Sequence, residues 1–127
     1  MKNGTLSISG ATMDYIRFGT GAKTLIMLPG LGDGLRTVKG TALPMALMYR
    51  IFAREYCVYL FDRRKELAQN VTMEDLAMDV AAAMDVLGLT EADVLGVSQG
   101  GMIAQYLAID RPDLVHKLVL AVTLSRT

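Results

Sequence analysis

The sequence predicts an α/β fold: a three-layer α/β/α arrangement around a mostly parallel sheet, preceded by an N-terminal β-hairpin. Three observations carry this. After residue 20, short apolar runs alternate with helical patterns in the order strand, helix, strand, helix, strand, helix, strand, which is the signature of a parallel sheet with right-handed crossovers. The apolar runs are continuous, as expected of strands covered on both faces, and 52% of the residues are hydrophobic. Ahead of them, Thr5 to Ser9 and Met13 to Phe18 alternate in period two around Ser9-Gly10-Ala11-Thr12, which predicts a turn and hence a hairpin.

At 127 residues the chain makes one domain at most, large enough to bury an ordinary core. Thirteen basic and thirteen acidic residues balance, so no long-range attraction draws the chain to nucleic acid or to an anionic membrane. The N-terminus lacks a long apolar run, so neither a signal peptide nor a spanning helix is expected and the cytoplasm is the default location. The single cysteine, Cys57, lies in an apolar run and is expected to be a small core residue.

After Gly19-Thr20-Gly21 breaks the hairpin, Thr24 to Leu28 reads as a central strand. Pro29-Gly30-Leu31-Gly32-Asp33-Gly34 follows it at once. An irregular loop is one reading of this stretch. A dinucleotide fingerprint is another, but it needs a glycine where Leu35 stands. The third is a loop that presents the Leu31 N–H at the top of the sheet, where Gly30 and Gly32 let the backbone turn tightly.

Leu43 to Glu55 is helical in pattern, with Leu43, Leu47, Met48, Ile51 and Phe52 on one face and Pro44 in the first turn. Tyr56 to Phe61 is the next buried strand, and Asp62-Arg63-Arg64 after it suits a loop, solvated or facing a substrate. Thr72-x-x-Asp75 predicts a capping box. Leu76, Val80, Ala83, Met84 and Leu87 then trace a core-facing stripe that stops at Gly88. Met73, Met78 and Met84 are packing residues on this pattern.

Val94, Leu95 and Val97 form a further buried strand. From Gln99 to Asp110 the apolar Met102, Ile103, Tyr106 and Leu107 recur at helical spacing. Between strand and helix lies Gly96-Val97-Ser98-Gln99-Gly100. A serine on so sharp a turn needs small residues two positions to either side, and Gly96 and Gly100 supply them. The turn would lift the hydroxyl clear of the sheet and leave the Gln99 N–H at a helix N-terminus, where developing negative charge is stabilised. The plainer alternative is a glycine-rich turn whose serine caps the helix. Arg111-Pro112-Asp113 ends that helix, and Lys117 to Leu124 is the last strand.

Gly96-Val97-Ser98-Gln99-Gly100-Gly101 on its turn, Leu28-Pro29-Gly30-Leu31-Gly32, Asp62-Arg63, and Arg111-Pro112-Asp113-Leu114-Val115 leading into Lys117-Leu118-Val119-Leu120 together resemble the α/β-hydrolase fold family. The resemblance covers nearly the whole chain but only the N-terminal half of the family's domain, so the cap and the C-terminal strands are expected to be absent. It implies that Ser98 is a nucleophile, that the N–H groups of Leu31 and Gln99 form an oxyanion hole, and that Gly30, Gly32, Asp62 and Arg63 lie on the substrate side. It implies neither a cofactor nor a metal. Two positions depart from the family: Pro29 stands where a histidine is common, and Arg64-Lys65-Glu66 stand where a glycine is usual.

A serine nucleophile needs a base within hydrogen-bond reach and an acid to orient it, and the family places both after later strands. The only histidine, His116, precedes the last strand, at the edge opposite Ser98, roughly 20 Å away. It is expected to be a surface residue near a helix end. The chain is therefore expected to be half of a serine hydrolase acting on a small-molecule ester, thioester, lactone or amide, and not to turn over by itself. Its last strand is expected to leave an open edge that drives self-association or pairing with the missing half. A non-catalytic binding module with the same shape is the rival, and a nucleotide-binding half-domain using Gly30, Gly32 and Gly34 is a third.

Overall fold

The computed structural model describes residues 2–8, 10–28, 54–64, 71–97 and 99–121. Six strands form one sheet in the spatial order β1-β2-β4-β3-β5-β6, where β1 is Lys2–Ile8, β2 Ala11–Phe18, β3 Lys23–Leu28, β4 Tyr56–Arg64, β5 Ala92–Val97 and β6 Val115–Ala121. β1 and β2 form the antiparallel hairpin, and β2 pairs antiparallel with β4. From β4 through β3 and β5 to β6 every pairing is parallel. The predicted class is the observed one.

The hairpin turn is tighter than the sequence suggests, because Ala11 and Thr12 already pair with Ile8 and Ser7. Buried Asp14 in β2 is matched across the hairpin by the hydroxyl of Thr5, its register partner. β4 corrects a second expectation. Asp62, Arg63 and Arg64 belong to the strand and not to a loop after it, because β2 is long enough to pair Met13 with Arg64, with a register shift between Met13 and Tyr15.

Helix α1 (Met73–Leu87) begins at the predicted box: the Thr72 hydroxyl accepts from the Asp75 N–H at 3.0 Å, and the Asp75 carboxylate accepts from the Thr72 N–H at 3.0 Å. It ends at Gly88, whose φ of 72° is left-handed and suits glycine. Helix α2 (Gln99–Asp110) has the predicted bounds but a different buried face. Tyr106 is exposed, and Gly100, Gly101, Ile103, Ala104 and Leu107 are buried. The helix is turned to bring its glycines onto the sheet, and that contact positions the site below.

α1 and α2 cover the same face, closing a core that includes Ile26, Tyr59, Met84, Val94, Ile103 and Leu107. Met73, Met78 and Cys57 pack at its margin; Cys57 is half-buried rather than fully enclosed. The opposite face is also buried, with Ile16, Phe18, Leu25, Met27, Val58 and Leu60 each at most 7% exposed. The helix expected over Leu43 to Glu55 as the third layer lies outside the described residues, except that Arg54 and Glu55 form a turn. After α2, a 3-10 turn (Pro112–Leu114) leads into β6, which starts two residues earlier than predicted. Arg111 fastens this corner to α1, holding Asp85 at 3.0 and 3.1 Å and Asp113 at 3.1 and 3.0 Å.

Candidate active site at the carboxyl edge of the sheet

β3 and β5 are neighbours, and the chain steps from β3 to β4 on one side of them and from β5 to β6 on the other, so the strand order reverses between them. In parallel α/β sheets such a reversal opens a crevice at the carboxyl ends of the strands, the usual ligand position. Here Leu28, the last residue of β3, pairs with Gly96 of β5. The carboxyl ends of β3 and β5 therefore lie side by side on adjacent strands, within one residue of the same level.

β5 ends at Val97 and α2 begins at Gln99, so strand gives way to helix within one residue. So abrupt a return brings the first turn of the helix down onto the strand it has just left. Only a missing side chain permits this. A Cβ on Gly96 would stand 2.6 Å from Gly101 Cα, 2.7 Å from the Gly100 carbonyl oxygen and 2.9 Å from the Gly101 nitrogen, all backbone atoms. Gly100 and Gly101 are themselves buried. Gln99 is exposed at the first position of α2, and no acidic residue occupies the first turn. No carboxylate there competes for the positive end of the helix.

Among the predicted site residues, Gly96, Gln99 and Gly100 are thus brought together at this edge. Ser98, Gly30, Leu31 and Gly32 lie outside the described residues. Asp62 is half-buried near the carboxyl end of β4, one residue past Phe61, and the backbone of Arg63 continues the strand.

His116 is not near this edge. It is the second residue of β6, its side chain is 60% exposed, and its Nδ1 stands 3.1 Å from Asp93 Oδ1 at the start of β5. Five residues separate Asp93 from position 98, roughly 16 Å of strand, so His116 cannot serve as base to a nucleophile there. The expectation of an exposed histidine stands, but the residue sits in a strand and has a carboxylate partner that the sequence reading missed. Asp93 also accepts a 2.7 Å hydrogen bond from the Tyr56 hydroxyl at the start of β4. Burial alone would raise the Asp93 carboxyl; the Tyr56 and His116 hydrogen bonds and the charges of His116 and Lys117 outweigh it and hold it below the usual carboxylate range. The same bond raises the Tyr56 hydroxyl above its ordinary value, with burial adding to it. The available signal was a charged residue, Asp93, at the head of an apolar run.

Among the described residues no group of three or more His, Cys, Asp or Glu side chains is placed to hold a metal. No described helix is long and apolar enough to cross a membrane.

A parallel α/β sheet with a glycine-sealed strand-to-helix turn at its switch point defines the class of this protein. Residues 23–127 match the family described as alpha/beta hydrolase fold, and the chain belongs to that family. It is 30% identical over 113 residues to the dihydrolipoyllysine-residue acetyltransferase component of the acetoin cleaving system of Cupriavidus necator, covering 89% of this chain and 30% of that protein. It is 27% identical over 128 residues to 3-oxoadipate enol-lactonase 2 of Acinetobacter baylyi, covering 96% of this chain and 45% of the relative. Among solved structures, a hydrolase from Pseudomonas aeruginosa PA01 superposes with a TM-score of 0.80 at 28% identity, over 98% of this chain and 47% of that one. The chain spans less than half the length of each.

Proposed function

We propose that a polypeptide carrying this chain, together with a histidine and an acid that the chain does not supply, is a serine hydrolase. It cleaves an ester, thioester, lactone or amide of a small molecule through an acyl-Ser98 intermediate. The observation that carries this is the pairing of Leu28 with Gly96, joined to the start of α2 at Gln99. Leu31 is three residues beyond Leu28, a reach of about 10 Å at most, so its N–H and that of Gln99 can converge on one oxygen above the switch point. In that role Ser98 Oγ attacks the carbonyl carbon, the two amides receive the oxyanion, and the supplied histidine takes the serine proton and returns it to the leaving group. Kinship with an enol-lactonase supports an oxygen ester as the bond broken.

The position of His116 favours one competing reading for the 127 residues alone. With their single histidine engaged at the far edge, they keep the fold as a non-catalytic module. A fluorophosphonate probe separates the two. The hydrolase reading predicts that the probe labels the longer polypeptide, that Ser98→Ala abolishes labelling, and that the 127-residue chain is unlabelled. Labelling that survives Ser98→Ala refutes the nucleophile assignment. Absence of labelling in a longer polypeptide that contains the additional histidine favours the module.

A further inference from the structure

We draw no further inference here: the strongest candidate, the Tyr56–Asp93–His116 side-chain cluster at the amino edge of the sheet, belongs to the network already described, in which the Tyr56 hydroxyl and His116 Nδ1 hold the Asp93 carboxylate.

Discussion

Gly96→Ala tests the contact on which the candidate site is built. The new Cβ would meet three backbone atoms of α2 at 2.6, 2.7 and 2.9 Å, and none of them belongs to a side chain that can swing away. The helix N-terminus must therefore move off the strand, or the strand must bend. Overpacking of this kind costs up to about 3 kcal/mol. Gly96 is not among the residues with positive φ, so alanine also gains about 0.5–1 kcal/mol by restricting the unfolded chain. The expected net loss is about 2 kcal/mol, a factor of about 30 in the folding constant, or a fall of roughly 1 M in the urea midpoint at unchanged slope. Gly88→Ala is the control. Nothing lies within 4 Å of a Cβ there, yet φ is 72°. Its cost of about 1 kcal/mol comes from the left-handed backbone alone. Amide exchange separates the two variants, because only Gly96→Ala should speed exchange in the first turn of α2. A Gly96→Ala protein within about 0.5 kcal/mol of wild type would mean that α2 does not press on β5, and the basis for placing Gln99 at this edge would be lost.

Three further outcomes are expected. The folded-state pKa of Asp93 lies below its unfolded value, so its contribution is fully present above the unfolded carboxylate pKa of about 3.9 and is lost as pH falls through the lower folded value. Asp93→Asn should flatten the acid limb of a stability–pH profile, and Tyr56→Phe, which removes a donor to a nearly buried carboxylate, should lower stability by about 2 kcal/mol at neutral pH. Leu107→Ala empties a fully buried position between α2 and the sheet and should cost about 3 kcal/mol in denaturant unfolding. Thr72→Ala removes an exposed capping box and should cost only about 1 kcal/mol, with loss of exchange protection confined to the start of α1.

Elements whose periodicity and end signals agree were legible in the sequence. α1 carries Thr72, Asp75 and Gly88 at its limits, and α2 runs from just after the serine turn to a proline, so both were placed well. Less legible was anything decided by a neighbour distant in sequence. Asp62, Arg63 and Arg64 look like a loop because charge follows an apolar run, and only the length of β2 makes them strand. Tyr106 fits the apolar stripe of α2 as well as Ile103 does. The glycines that draw α2 onto Gly96 decide which face is buried, and a hydrophobicity pattern gives glycine no weight. The Tyr56–Asp93–His116 network joins residues up to 60 positions apart and carries no local spacing by which to find it.

The direction of the helices explains why the candidate site and the stapling lie at opposite edges of this sheet. α2 starts where β5 ends, so its positive pole and unpaired N–H groups face the carboxyl edge, where an oxyanion gains from them. At the other edge the same connectivity delivers helix C-termini: α1 ends five residues before β5 begins, and α2 ends just ahead of the turn into β6. Burial of the Asp93 carboxyl at that edge works against its charged form. Tyr56, His116 and Lys117, reaching it from the starts of β4 and β6, outweigh that burial and hold the carboxyl below its usual range. Arg111 meets the same need on the surface, standing beside the last turn of α1 and bonded to Asp85 within it. One backbone polarity thus leaves the carboxyl edge open to an anion and requires the amino edge to be filled with donors. His116 belongs to that second task, bonded to Asp93 at the amino edge and away from the start of α2.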